Sequence, residues 1–358
     1  MDQLIDKSKP VLVTGASGYI ATWIIKLLLE QGCTVHGTVR DPNKQKSVDP
    51  ILQIAKDAQQ GELKLFPADL LQEGSFDQAM DGCEVVIHTA SPFVIRGFND
   101  AHEALIRPAV EGTRNVLEAA NRTPSVKRVV LTSSVAAIYG DCADLKQNPR
   151  GVFNEEDWNF SSSESHQPYS YSKLLAEKKA WEMQKQQSRW RLVTINPSMV
   201  AGPALTKATR STSIDTLRRL GNGKMWPGVP DMRLGWVDVR NVAQAHLEAA
   251  FRADAEGRHI ISNGEPSMLE IAKILKQHFG NKYRFPFFQL PTALVKWVGR
   301  FVDSSATPKF VQQNAGHDLK FDNERSRQRL DIDYIPLQQT FVEHFQQLLD
   351  DGIIRAKN

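Results

Sequence analysis

Six short runs of apolar, largely β-branched residues alternate with longer stretches of helical periodicity through the first two hundred positions, and this alternation limits what the chain can fold into. The runs fall at 11–14, 34–39, 63–67, 85–88, 128–132 and 192–196, and the helical patterns at 19–31, 50–59, 101–121 and 170–187. Strands that are apolar on both faces must be covered on both faces, and a helix between successive strands brings the chain back to start the next one in the same direction. The expected fold is therefore α/β: a doubly wound parallel sheet of the Rossmann type.

Beyond Pro197 the alternation stops. Residues 201–212 are rich in Pro, Gly, Ser and Thr, and Gly and Pro punctuate 221–230. A strand and helix over 236–250, followed by a strand at 258–262, read as a late return to the main sheet. The chain of 358 residues is long enough to divide, and the expected division is a nucleotide-binding Rossmann domain at 1–197 completed by 236–264. A smaller, discontinuous C-terminal substrate-binding domain would take 198–235 and 265–358. A closing helix is expected over 337–350.

Charge and cysteine content exclude several classes of function. The 44 basic and 41 acidic residues are mixed along the chain for a net charge of +3, which gives neither a nucleic-acid surface nor a polybasic membrane anchor. The apolar segment 290–302 is too short to span a bilayer and carries Lys296 and Arg300, so it reads as a surface-packed amphipathic helix. The first nine residues are polar and charged, unlike a secretory leader, so the expected address is cytoplasmic. Cys33, Cys83 and Cys142 show no CxxC pair and no neighbouring His cluster, so reduced, buried thiols are expected, with no disulfide and no metal. The partner left by these exclusions is a small molecule, bound by a monomer or a homodimer.

The first strand runs straight into a glycine turn and a helix: Val11-Leu-Val-Thr-Gly-Ala-Ser-Gly-Tyr-Ile-Ala21. The helix is marked by Ile20, Trp23, Ile24, Leu27 and Leu28. Gly15 permits the sharp turn, Gly18 lets backbone N–H groups approach a pyrophosphate at the helix's positive end, and Ala21 allows close packing on the strand. The candidate contacts are Gly15, Ser17, Gly18, Tyr19 and Ile20. The plainer alternative is a glycine pair that only closes a turn. The GxxGxxA spacing resembles that of the short-chain dehydrogenase/reductase family, and TGASGYIA is similar to the motif of its extended branch, which includes the NAD-dependent epimerases and dehydratases.

At the end of the second strand an NAD-preferring site carries an acid for the ribose hydroxyls. Here Val39 stands in that place and Arg40 follows it, able to grip a 2′-phosphate with its planar fork. NADP(H) is the expected cofactor, with Lys44 or Lys46 in support, while Asp41 leaves room for dual specificity. TVRDP also resembles the 2′-phosphate site of dihydroflavonol reductases. By the same resemblance Asp69 and Leu70 would contact adenine, with a turn cap the alternative for Asp69. Thr89, Ala90 and Ser91 after His88 would run beside the cofactor, and Pro197 and Val200 would close over it. His88 itself reads as a packed residue.

Tyr169 and Lys173 lie four apart, on one face of a helix. A free phenol is a weak acid, with a pKa of about 10, and a neighbouring ammonium stabilises its anion. Ser134, at the end of the fifth strand, would hydrogen-bond a substrate oxygen, with Ser133 structural. In the family this resembles, Ser134, Tyr169 and Lys173 form the catalytic set, and Tyr169 and Lys173 also touch the cofactor. Asn115 would support the lysine through water or simply pack its helix.

The resemblance extends through Ile195-Asn-Pro-Ser-Met-Val-Ala-Gly-Pro203 and Trp236-Val-Asp-Val-Arg-Asn-Val-Ala243, with Asn241 where the pattern has an acid. It points to dihydroflavonol reductases, cinnamoyl-CoA reductases and microbial aldehyde and ketone reductases, and so to an NADPH-dependent reductase of an aldehyde or ketone. The segment 160–168 lacks the NWYCYGK signature of cinnamoyl-CoA reductases, which argues against a CoA thioester. Phe93, Met199 and Trp226 are pocket-wall candidates. The competing readings are an NAD-dependent nucleotide-sugar epimerase or dehydratase and a non-catalytic NADP-binding redox sensor.

Overall fold

The computed structural model describes residues 4–91, 100–207, 211–302 and 306–355. Its centre is a parallel sheet whose strands are β1 (Val11–Thr14), β2 (Thr34–Val39), β3 (Glu62–Pro67), β4 (Val85–His88), β5 (Arg128–Thr132) and β6 (Arg191–Pro197). A later strand completes it. The first crossovers are α1 (Tyr19–Glu30), α2 (Gln45–Ala58) and the short α3 (Asp77–Met80). Then come α4 (Arg107–Arg122) and α5 (Pro168–Lys185). Because side chains alternate along a strand, Val11 and Val13 of β1 pack into one core layer with Ile24, Ile25 and Leu28 of α1. Leu12 faces the other layer, with Val116 and Leu117 of α4 and Ala180 and Met183 of α5.

Past β6 the chain forms β7 (Met199–Ala201), α6 (Thr212–Gly221), β8 (Gly228–Pro230) and β9 (Trp236–Asp238). It continues through α7 (Val239–Phe251), β10 (Gly257–Ile261), α8 (Met268–Phe279) and β11 (Phe288–Leu290). Last come α9 (Thr292–Val302), α10 (Pro308–Asn314), α11 (Glu324–Arg329) and α12 (Leu337–Asp350). The large sheet has the order β3-β2-β1-β4-β5-β6-β10, all parallel.

Three expectations need correction. Only β10 of the late strand pair returns to the main sheet; β9 pairs instead with β7 in a separate two-stranded sheet. The carboxylate of Asp238 accepts the Arg240 N–H at 2.9 Å and caps α7, so β9 ends after three residues. Helix α2 begins at Gln45, before Pro50, and therefore puts Lys46 in its first turn. The long helix expected over 101–121 opens with a π-helical stretch, His102–Ile106, ahead of α4. Pro108, the second residue of α4, has no N–H with which to bond back to the π-helical stretch, as Arg107 does to His102 O.

A third apolar cluster joins α6, α8 and α12 through Leu217, Leu220, Ile271, Leu275, Phe341 and Phe345. Two side chains of α1 fasten this part to the main sheet. Tyr19 donates its hydroxyl to the Gly202 carbonyl, and the Trp23 indole N–H donates to Pro203 O at 2.8 Å. Helix α9 lies on the surface as its pattern implied, with Val295 buried and Trp297 78% exposed. All three cysteines are free and buried, and no helix among the described residues is long and apolar enough to cross a membrane.

Several histidines are folded into the interior. His246 of α7 pairs with the Thr132 hydroxyl at 2.7 Å, and His344 of α12 accepts the Gly202 N–H at 3.1 Å. Burial pushes both down from 6.5 to about 4. In the unfolded chain each binds a proton near pH 6.5, whereas in the folded protein it does so only near pH 4. Their contribution is thus complete above pH 6.5 and is lost as pH falls through that window. Urea unfolding is expected to give a free energy that declines between about pH 6.5 and 4, with the decline reduced in a His246→Gln, His344→Gln double variant; equal slopes in the two proteins would refute this account.

Candidate active site

Strand order reverses between β1 and β4, and in an open α/β sheet the crevice at such a point, beyond the carboxyl ends of the strands, receives ligands. The two strand ends are tied across it. Thr14 Oγ1 lies 2.8 Å from His88 Nδ1 and accepts the N–H groups of Thr89 at 3.1 Å and Ala90 at 3.0 Å. The Thr89 hydroxyl donates to Thr14 O at 2.5 Å. His88, pushed down to about 3 by burial and by the nearby Lys173 charge, is neutral and structural, as its sequence context implied.

Gly15 has φ +67°, and a Cβ there would stand 3.1 Å from both Cα and Cβ of Ala90. The glycine is thus required twice, by its left-handed backbone and by the closeness of the β4 exit. Gly18 caps α1 with no side-chain partner for the helix's first N–H groups, and no acid stands in the first turn. A phosphate fits that open, positive helix end. Ser17 and Gly18 are exposed there. The side chains of Tyr19 and Ile20 point elsewhere: Tyr19 bonds to Gly202, and Ile20 packs on the core, so both can serve a ligand only through their backbones.

Arg40 is exposed at the end of β2, while Val39 beside it is buried. The Asp41 carboxylate accepts the Asn43 N–H at 2.9 Å, closing a local turn. Lys46 lies exposed in the first turn of α2. Asp69 likewise caps its own turn, taking the Leu71 N–H at 2.8 Å, in keeping with the turn-cap alternative. Asn115 donates to Leu70 O at 2.8 Å, which ties α4 to the turn after β3. Leu70, Ala90, Ser91 and Lys173 line one small cavity with His88 and Glu177.

Helix α5 is aimed by a buried cluster just ahead of it. Gln167, at φ 56° and ψ 56°, turns the chain into the helix and donates from its amide to Gly140 O and Asp141 Oδ1, each at 2.6 Å. His166 Nε2 pairs with Asp141 Oδ2 at 2.7 Å, and Asn314 of α10 donates to Asp141 Oδ1 at 2.7 Å. This fixes Tyr169 against the segment that follows β5, where Ser134 accepts the Ala136 N–H at 3.1 Å.

The structure thus brings the Ser134 and Tyr169 hydroxyls into contact, with Lys173 one turn along the same helix. Burial pushes the Tyr169 phenol up to about 12, opposed by its hydrogen-bonding interaction with Ser134. Burial brings Lys173 down to about 8, opposed by the Glu177 carboxylate. At neutral pH the set therefore holds a protonated phenol beside an ammonium, the state required to give a proton away. The Ser134 hydroxyl also reaches the Pro197 carbonyl at 3.5 Å, and Val200 packs on the core below. Met199 packs into the third cluster, and Trp226 is half exposed against Phe287. Phe93 lies outside the described residues.

The family described as "NAD dependent epimerase/dehydratase family" matches residues 11–263. The chain belongs to that family. Within it, the chain is of the extended short-chain dehydrogenase/reductase kind. It is 42% identical over 284 residues to a cinnamoyl-CoA reductase of Medicago truncatula, covering 78% of this chain and 82% of that one. It is 32% identical to a dihydroflavonol 4-reductase of Gerbera hybrida, covering 80% and 75%. The structure of yeast methylglyoxal/isovaleraldehyde reductase complexed with NADPH superposes with a TM-score of 0.77 at 29% identity, covering 96% of this chain and all of that one.

Motif reading missed the buried cluster beside Tyr169 and Lys173 on α5: Glu177, Asn196 and Arg258. Glu177 was within reach, since it continues the spacing of Tyr169 and Lys173 by one more turn. Arg258 comes from a strand far along the chain, and nothing local announces it. Gly15→Ala is expected to weaken NADPH binding at least tenfold and to lower the melting temperature, because Ala must adopt a positive φ, at about 1–2 kcal/mol, and push on Ala90. NADPH fluorescence titration measures the first effect; unchanged affinity in the folded variant would contradict this role of the turn.

Proposed function

We propose that the protein reduces the carbonyl group of an aldehyde or ketone with NADPH, Tyr169 acting as general acid. The observation that carries this reading is the hydrogen-bonding contact of the Ser134 and Tyr169 hydroxyls, with Lys173 one turn along the same helix in a cavity it shares with Ala90 and Ser91 at the β4 exit. Bound NADPH supplies the hydride that reduces the carbonyl carbon. Ser134 holds the carbonyl oxygen by donating a hydrogen bond, and Tyr169 delivers its proton to that oxygen as negative charge develops. Lys173 steadies the phenolate left behind. Placing these donors before the substrate arrives removes the cost of reorganising solvent around the new charge.

NADPH is favoured over NADH by three features of the second strand's end. No acid stands in the place of Val39, Arg40 is exposed beside it, and the Asp41 carboxylate is turned onto the Asn43 N–H. The same reading assigns the nucleotide to residues 1–197 with 236–264, and the substrate to 198–235 with 265–358. Cinnamoyl-CoA reductases are among the relatives, yet the segment before Tyr169 lacks their signature, so a free aldehyde or ketone is the favoured substrate class over a CoA thioester.

A panel of aldehydes, ketones and cinnamoyl-CoA, assayed with NADPH and NADH in parallel, tests this directly. Oxidation of NADPH by a free carbonyl is expected. Tightly retained NAD(H) with activity on a nucleotide sugar, or NADPH binding with no turnover, would overturn the reading. Tyr169→Phe is expected to cut turnover about 10²–10⁴-fold with NADPH affinity nearly unchanged. Arg40→Gln should raise the KM for NADPH about tenfold or more while leaving that for NADH alone, and equal effects on the two would show that Arg40 does not meet the 2′-phosphate.

A further inference from the structure

Glu177 is one helical turn beyond Lys173 on α5 and is 1% exposed. Its Oε1 accepts from Arg258 Nε at 2.6 Å, from the Trp181 indole at 3.2 Å and from the Thr194 hydroxyl at 3.4 Å. Its Oε2 accepts from Asn196 Nδ2 at 2.7 Å and from the Ser133 hydroxyl. Asn196 in turn donates to the Ser134 carbonyl at 3.1 Å. One buried carboxylate thus joins the catalytic helix to the ends of β5 and β6 and to the edge strand β10. It also lines, with Lys173, the small cavity bounded by His88, Ala90 and Ser91.

A buried ion pair stabilises a fold little, because desolvation of both charges offsets their attraction. Its location then decides what it is for. Among the described residues, the charged and titratable groups near Lys173 are Glu177 and, by helix spacing, Tyr169 from its own helix, and His88 from β4, the last of these neutral. Glu177 is the anion among them. Behind it stands Arg258, held over the Trp158 ring at 3.8 Å and donating to Glu155 O at 2.9 Å and Asp157 O at 2.6 Å.

The geometry points to Glu177 as a positioning residue that keeps the Lys173 ammonium charged from one helical turn away, and fixes the Ser134 backbone through Asn196, with Arg258 tempering its charge. This rests on the reductase reading above. It separates from a merely structural α5–β10 tie by sign. Removing the anion at 177 makes the ammonium easier to deprotonate, whereas removing the cation at 258 makes it harder.

The experiment follows NADPH affinity by fluorescence titration and turnover of an accepted aldehyde, each against pH from 6 to 10, in the wild type, Glu177→Gln, Glu177→Asp and Arg258→Gln. The alkaline fall in both profiles is expected to move down by about one pH unit in Glu177→Gln and by less in Glu177→Asp. In Arg258→Gln it is expected to move up. Should Gln at 177 leave Arg258 buried without a counter-charge and the chain fail to fold, the Asp variant and Arg258→Gln carry the comparison. Limbs that keep their wild-type position while amplitude falls, or that move the same way in both sets, would overturn the proposal. A wild type that binds NADPH but reduces no carbonyl would overturn the reductase reading instead, and the binding profiles would still judge Glu177.

Discussion

The tie between Thr14 and the β4 exit is the constraint on which the rest of the site depends. Parallel strands that end at one edge leave their last carbonyl and N–H groups facing a common crevice, and the reversal of order between β1 and β4 opens that crevice to a ligand. Thr14 closes the floor by accepting two N–H groups and bonding a neutral histidine. With the floor fixed, the glycine turn can lie against Ala90 with no room for a side chain. That contact leaves the start of α1 open at the top of the sheet, which is where a dinucleotide phosphate can be met.

The end that carries Tyr169 and Lys173 is built on a different principle. Positions 169, 173 and 177 share one helix face, and burial works against the ionised forms of Tyr169 and Lys173. For Tyr169 this keeps the phenol protonated, and for Lys173 it brings the ammonium close to neutrality at mildly alkaline pH. The Glu177 carboxylate one turn along opposes that fall, and five hydrogen-bond donors make the carboxylate tolerable in the interior.

Much of this was legible in the sequence because it is local. Strands β1, β2, β4 and β5 could be bounded to the residue, since apolar runs between turn signals carry their own limits. The glycine turn and the Tyr169–Lys173 spacing were likewise visible as short motifs. What the sequence hid was long-range. Asp238 ending β9 after three residues, Asn115 choosing the Leu70 carbonyl, and Arg258 reaching back to Glu177 each depend on a partner that only the folded chain supplies. Tyr19 is the instructive case: its position in the motif placed it at the nucleotide, yet its hydroxyl is spent on a distant carbonyl.

That hydroxyl, with the Trp23 indole beside it, pins the opening of α1 to the stretch leaving β7. Residues 199–207 therefore do not vary independently of the glycine turn: any redesign that shifts the carbonyls of Gly202 or Pro203 drags on the first turn of α1, so the two segments are mechanically linked in this scaffold.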